Sequence, residues 1–171
     1  MTRQVRWDPV VRCCHWLVAL GFLTNRLLTE AGSTVHQWVG FTVAGLVVVR
    51  LVWGLLPWSG PAQLTRFLPW PSAIKAHLQD LRERKTHEGV GHNPLAGLAF
   101  FAFWFGMLAL AFTGWGMDTD WGMAWPLGEI HETIANLLTL LVVVHILALG
   151  FFTHWLRFNY LTTMLPGKTR E

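Results

Sequence analysis

The sequence predicts an all-α integral membrane protein, a four-helix bundle of one domain spanning residues 1–171. Of its residues, 53% are hydrophobic and only 13% are charged, which leaves too little polar surface for a water-soluble chain of this length. The apolar residues fall in four long runs, and a run of about 20 apolar residues spans a bilayer. A short turn joins the first two runs, so these two helices are expected to be antiparallel neighbours.

The first two spans are predicted at about residues 10–30 and 35–58. The first is the weakest of the four, because the polar residues at positions 24–26 interrupt its apolar run. The second is strongly apolar throughout, and the segment 31–34 between them has the composition of a tight turn.

A longer polar stretch at 59–92 follows, and its prolines break any continuing helix. It is expected to be a cytoplasmic loop that carries a short amphipathic helix on the membrane surface. The third span, about 94–115, begins at Asn93 and Pro94, an N-cap followed by a first-turn proline. The fourth span is predicted at about 129–156, after a turn-rich loop.

Lysine and arginine indicate the orientation of the bundle. They concentrate in the N-terminus, the 59–92 loop and the C-terminal tail, which places both termini in the cytoplasm of a bacterial inner-membrane protein. The net charge of +3 is small, so these residues indicate membrane orientation and not nucleic-acid binding. The opposite side is mostly acidic, with Glu30, Asp118, Asp120, Glu129 and Glu132.

Four of the eight histidines lie in the spans and sort by depth into two pairs. His131 and His145 are fourteen residues apart on the fourth span, so they share one face about 21 Å apart along the axis. His36 opens the second span on the outer side, and His15 lies in the first span near the cytoplasmic side. We therefore expect His15 to pair with His145 and His36 with His131, forming two stacked haem sites. Iron held by two neutral imidazoles favours electron transfer over oxygen chemistry.

Two arginines and one glycine are further candidates for haem binding. Arg26 follows His15 by eleven residues and Arg50 follows His36 by fourteen, so each returns to nearly the same helix face. A guanidinium within a membrane span needs an anionic partner, and haem propionates would suit Arg26 in the outer layer and Arg50 in the inner layer. Gly40 removes a side chain where a flat macrocycle could approach, although ordinary helix packing explains it equally well.

Other interpretations of the histidines remain open. A single histidine at a membrane interface is commonly only an interfacial polar residue, and a small metal-binding or transport bundle would also use histidine ligands. Metal analysis that finds zinc or copper without haem iron would support the second alternative. His154 points away from the face of His145, and the loop histidines His77, His87 and His92 are expected to be solvated.

Four motifs in this order resemble those of the bacterial cytochrome b561 family, which includes the b-type subunits of nickel–iron hydrogenases. They are His15-Trp16-Leu17, His36-Gln37-Trp38-Val39-Gly40 with Arg50, Gly91-His92-Asn93-Pro94, and His131-Glu132-Thr133-Ile134-Ala135-Asn136-Leu137 with His145. The resemblance covers nearly the whole chain. It implies a four-helix bundle with two b-type haems, ligated by histidines of the first, second and fourth spans.

The resemblance also implies electron transfer across the cytoplasmic membrane, with quinone as a substrate. Members of the family differ in their partners, which include periplasmic hydrogenases and c-type cytochromes. We expect electrons to pass between such a periplasmic partner and the quinone pool of a respiratory chain. The alternative is a superoxide:ubiquinone oxidoreductase, an enzyme of the same architecture, which the short outer loops resemble. The acidic outer side argues against steering an anion such as superoxide, and stopped-flow mixing with superoxide would separate the two functions.

Overall fold

The computed structural model describes residues 7–68, 70, 72, 74–75, 79, 94–156 and 161–165. Secondary structure within these ranges is entirely helical, which confirms the all-α prediction. Most of the predicted surface helix lies outside the described residues, as do the loop histidines at positions 77, 87 and 92 and the predicted N-cap Asn93.

Four long helices and one short helix make up the described chain. They are α1 (Pro9–Leu27), α2 (Thr34–Leu55), α3 (Pro94–Met117), α4 (Leu127–Leu156) and α5 (Leu161–Met164). Short 3-10 segments lie at Pro57–Ala62, Leu64–Phe67 and Gly122–Ala124. The ends of the long helices lie within three residues of the predicted ends of the spans.

The turn between α1 and α2 begins earlier than predicted. The backbone N–H groups of Leu28 and Thr29 both donate to the carbonyl oxygen of Thr24, at 2.9 and 3.2 Å, which closes α1 at Leu27. Gly32 then has φ of 76°, a left-handed conformation that glycine adopts without steric cost. Ser33 caps α2, because its Oγ accepts a hydrogen bond from the backbone N–H of His36 at 3.2 Å. The cap therefore fixes His36 in the first turn of α2.

The other end of α2 is set by a proline. Leu56 has φ of −74° and ψ of 137°, the extended conformation that a following proline imposes on the residue before it. The helix therefore stops at Leu55, about three residues before the predicted end of the second span.

Three helices of the described chain are long and apolar enough to cross a membrane: α2, Ala96–Met117 within α3, and Leu127–Trp155 within α4. Helix α1 is the weakest candidate, as the sequence predicts, since it carries Arg12 and Arg26 in 19 residues. Many large apolar side chains point away from the bundle. Examples on α4 are Leu137, Leu140, Ile146 and Leu147. Such faces suit contact with lipid, so this is a membrane protein.

The helices pack in chain order, α1 against α2, α2 against α3, and α3 against α4. Two glycines allow close approach. A Cβ at Gly21 would lie 2.5 Å from Cγ2 of Val43, and a Cβ at Gly106 would lie 2.7 Å from Cδ2 of Leu138. Small residues at such contacts are typical of membrane helix packing. The pairs α1–α4 and α2–α4 are not among the closely packed ones in the described chain.

The buried apolar core lies at the middle of the bundle. It comprises Phe22, Val43, Val47, Met107 and Leu138. Leu138 is seven residues from both His131 and His145, and Val43 is seven residues from both His36 and Arg50. The core is therefore an apolar layer between two levels that carry histidine and arginine.

Candidate functional site

The structure brings His36 and His131 together at the outer end of the bundle. Their ring centroids are 6.2 Å apart and the ring planes are inclined by 57°. His36 lies in the first turn of α2 and His131 in the second turn of α4. Because α2 and α4 are not closely packed, the two imidazoles face each other across a gap between helices.

A hydroxyl of α3 holds the His131 ring. The Oγ1 of Thr113 lies 2.9 Å from His131 Nδ1. The same hydroxyl is within donating distance of the carbonyl oxygens of Ala109 and Leu110, at 2.8 and 3.1 Å. When the hydroxyl hydrogen bonds one of these carbonyls, the oxygen of Thr113 can accept from Nδ1–H of His131. In that arrangement the ring carries its proton on Nδ1, and Nε2 is the acceptor nitrogen.

The same arrangement occurs at His36, with the threonine supplied by the α1–α2 turn. Thr29 Oγ1 lies 3.1 Å from His36 Nδ1 and donates to the backbone carbonyl of Asn25 at 3.0 Å. The side-chain amide of Asn25 donates to the backbone carbonyl of His36 at 2.9 Å. These contacts are compatible with the same tautomer at His36, with the proton on Nδ1, and they tie α1 and the start of α2 together behind the ring.

The second pair, His15 on α1 and His145 on α4, lies close enough for electrostatic interaction between the two imidazoles. Each ring has an aromatic neighbour in edge contact. Trp16 lies 5.4 Å from His15 and Phe103 lies 5.9 Å from His145, between ring centroids. In the described chain no hydroxyl is hydrogen-bonded to either imidazole. The inner pair therefore has an aromatic environment where the outer pair has a hydroxylic one.

Arg50 is a buried cation at the level of the inner pair, with only 6% of its surface exposed. Its Nη2 donates to the carbonyl oxygen of Ala62 at 3.1 Å, and its guanidinium lies over the Trp104 ring. Nη1 is buried and has no hydrogen-bond partner among the described residues. A buried guanidinium with a free donor requires an anionic or strongly accepting partner.

Arg26 and Gly40 occupy different surroundings. Arg26 is exposed, and its Nη2 donates to Oδ1 of Asn136 at 2.6 Å, which links α1 to α4. A Cβ at Gly40 would lie 3.4 Å from Nδ2 of Asn25. Gly40 therefore faces α1, a placement in line with the helix-packing interpretation.

Sequence reasoning gave no role to four polar residues of the site. They are Asn25, Thr29 and Thr113 at the outer pair, and Asn136 beside Arg26. Asn25 entered the sequence analysis only as an interruption of the first span. The available signal was their polarity within or beside apolar runs, since polar groups in membrane helices usually have specific partners. The partners themselves lie up to 110 residues away along the chain, so only the fold identifies them.

The described residues contain no group of three or more histidine, cysteine, aspartate or glutamate side chains that could hold a metal ion. The imidazoles come in twos, an arrangement that differs from the three or four protein ligands typical of zinc.

Comparison with known proteins identifies the family. No curated protein and no solved structure matches the chain. The family model described as prokaryotic cytochrome b561 matches residues 6–167, nearly the full length. The chain therefore belongs to the prokaryotic cytochrome b561 family, a family of haem b-binding membrane proteins that transfer electrons.

Proposed function

We propose that this protein is a di-haem b-type cytochrome that transfers electrons across the bacterial inner membrane, between a periplasmic redox partner and membrane quinone. The observation that carries the proposal is the outer histidine pair. Two imidazoles from different helices lie side by side, and the Nδ1 atom of each is within hydrogen-bond distance of a threonine hydroxyl.

The spacing of the outer pair fits ligation of one metal by both rings. The ring centroids are 6.2 Å apart, so one metal ion could lie between the two rings and be held by a nitrogen of each. Neutral imidazoles with hydrogen-bonded Nδ1–H groups are also the usual donor set for a metal-ligating histidine.

The second site rests on His15, His145 and Arg50. A haem propionate is the kind of anion that the free Nη1 of Arg50 requires. In this proposal, His36 and His131 hold the outer haem, and His15 and His145 hold the inner one. Arg26 is available to a propionate at the outer level if it releases Asn136. The bound haems supply one-electron chemistry, and the protein holds the ligand rings and excludes water around them.

Orientation and partners follow from charge. The basic N-terminus and loop face the cytoplasm in this proposal, so the outer pair lies at the periplasmic surface. Exposed acidic side chains surround that end of the bundle. They include Glu30, Asp118, Asp120, Glu129 and Glu132. A basic periplasmic protein such as a c-type cytochrome, or a hydrogenase-like redox protein, is the expected partner on that side.

Haem content tests the proposal directly. In a pyridine haemochrome assay, purified protein should contain two haem b per chain, both low-spin. His131→Ala should reduce this to one, whereas His154→Ala should leave two. One high-spin haem in the unaltered protein, or zinc or copper without haem iron, would contradict the proposal.

A further inference from the structure

The two histidine pairs differ in what holds their Nδ1 protons. A threonine hydroxyl oxygen lies within hydrogen-bond distance of Nδ1 in both outer imidazoles, at 3.1 Å for His36 and 2.9 Å for His131. Neither inner imidazole has a hydroxyl partner in the part of the chain that the structure describes.

Both threonines are themselves fixed in place. Thr113 is buried with 5% of its surface exposed, and its hydroxyl bonds the α3 backbone one turn earlier. The His131 ring lies against that helix beside Gly114, where a Cβ would be in van der Waals contact with Cε1 of the ring at 3.5 Å. Thr29 is held by the backbone of Asn25. Each hydroxyl is therefore aimed at its imidazole by bonds that do not depend on the histidine.

An acceptor at Nδ1–H has a chemical effect at the opposite nitrogen. It raises the basicity of the imidazole and fixes the orientation of the ring. A more basic axial ligand stabilises ferric over ferrous iron, and this lowers the midpoint potential of a haem. The exposed carboxylates at the outer end favour the ferric state as well, whereas the buried Arg50 favours the ferrous state at the inner level. All three effects have the same sign.

We propose that Thr29 and Thr113 are positioning residues that hold the outer haem at a lower midpoint potential than the inner haem, so that electrons entering from the periplasmic partner pass inward towards quinone. This inference rests on the proposed function, because it requires both haems to be present. It adds a direction of electron flow and assigns two residues, outside the ligand set, that establish it.

Valine substitutions test the role of the hydroxyls because valine keeps the branched shape of threonine and removes only the donor and acceptor. Potentiometric titration of the haem-loaded protein followed by absorbance gives both midpoint potentials, and the outer one is the component lost in His131→Ala. Thr113→Val and Thr29→Val should each raise the outer potential, leave the inner one in place, and alter the low-spin EPR g-values of the outer haem. Thr113→Ser and Thr29→Ser should restore the original values.

Thr139→Val is the matched control. Thr139 lies on α4, the helix that carries His131 and His145. Its hydroxyl donates at 2.7 Å to the carbonyl of Ala135. The same substitution there removes a helix-bonded hydroxyl with no histidine partner, so both potentials should stay unchanged.

Three results would overturn the inference: an outer potential above the inner one in the unaltered protein, an outer potential that neither valine variant moves, or an equal shift in Thr139→Val. If Thr113→Val fails to retain haem, the outer midpoint potential of Thr29→Val still tests the inference, because Thr29 lies in the turn between α1 and α2. Fewer than two haems in the unaltered protein contradicts the proposed function as well. Two haems with unmoved potentials contradict only this inference.

Discussion

The guanidinium of Arg50 lies over the indole of Trp104, with Cζ 5.2 Å from the ring centroid. This contact joins α2 to α3 at the level of the inner histidine pair. Cation–π contacts gain strength when the cation is shielded from water, and Arg50 is almost completely buried. The indole therefore stabilises the buried charge while Nη1 stays available to an anionic group.

Replacement of Arg50 by lysine should weaken the inner site. An ammonium group cannot stack on Trp104, bond the Ala62 carbonyl and present a further donor in one fixed geometry. We expect a loss of about 1–3 kcal/mol in stability, lower occupancy of the inner haem, and little change at the outer haem. Thermal unfolding in detergent and haem content measure these effects.

Arg26→Lys is the control for Arg50→Lys. Arg26 is exposed and bonds one side-chain amide, so this variant should change stability by less than about 1 kcal/mol. Equal thermal stability and equal haem content in the two variants would show that the buried position of Arg50 has no special role.

The contact between Gly106 and Leu138 predicts a steric effect at the centre of the bundle. An added methyl group at Gly106 would lie 2.7 Å from Cδ2 of Leu138, so Gly106→Ala must push α3 and α4 apart or displace the leucine. Overpacking of this kind costs about 1–3 kcal/mol. The melting temperature of Gly106→Ala should fall. The double variant Gly106→Ala, Leu138→Ala should melt at a higher temperature than Leu138→Ala alone.

Gly45→Ala is the matched control, since a Cβ at that helical position has no atom within 4 Å. It should leave the melting temperature almost unchanged. A similar decrease in both glycine variants would point to a general effect of replacing glycine and would contradict the packing explanation.

The C-terminal segment around α5 is hydrogen-bonded to the start of α1. Arg12 Nη1 donates to the carbonyl of Leu165 at 2.9 Å, and Trp16 Nε1 donates to that of Met164 at 3.0 Å. The backbone N–H of Trp7 also donates to the carbonyl of Thr163 at 3.3 Å. His15 lies between Arg12 and Trp16 in the sequence. The segment around α5 therefore anchors the part of α1 that carries an inner histidine.

Trp16→Phe should therefore destabilise the protein by about 0.5–1.5 kcal/mol, the usual contribution of one hydrogen bond, and broaden the inner-haem absorbance band. Trp38→Phe is the control, because 70% of Trp38 is exposed and no hydrogen bond of its indole is observed in the described chain. Identical melting temperatures for the two variants would exclude an anchoring role for the indole N–H.

The outer loop between α3 and α4 offers a charge test of partner docking. Asp118 and Asp120 are exposed, and Asp118 accepts a hydrogen bond of 3.4 Å from the side-chain amide of Gln37. Complementary charge raises encounter rates more than final affinity. Replacement of both aspartates by lysine should slow haem reduction by a basic c-type cytochrome about tenfold or more at low ionic strength and flatten its dependence on salt.

Lys75→Glu, a change of charge at an exposed position on the predicted cytoplasmic side, should leave that rate unaltered. Stopped-flow absorbance measures both variants, with haem content as the check on integrity. An undiminished rate in the double aspartate variant at low salt would exclude this loop as the docking surface.

The predicted helices agree with the structure because each is marked by short-range chemistry. The apolar runs, the proline after Leu56 and the glycine at position 32 are local signals that act wherever the chain is placed. The depth-based pairing of histidines was also open to prediction, because a regular helix converts residue number into height. The structure brings His36 and His131 together, and it buries Arg50 against Trp104.

Residues in the turns and on facing helices could not be assigned in this way. Thr29 lies beyond the observed end of α1 and reaches His36 through the turn, and Thr113 reaches His131 from α3. Arg26 was expected to have a propionate partner, and in the structure it bonds Asn136. Each of these contacts depends on how helices are rotated about their axes, which hydropathy does not report.

The sequence by itself determined a membrane-embedded helical chain with histidines at two depths, because the length of an apolar run and the regular rise of a helix are set by local chemistry. The tertiary structure alone decided which side chains hold those histidines. Close packing at Gly21 sets α1 against α2, and close packing at Gly106 sets α3 against α4. That packing sets which hydroxyl faces which imidazole, and so gives the two histidine pairs different surroundings.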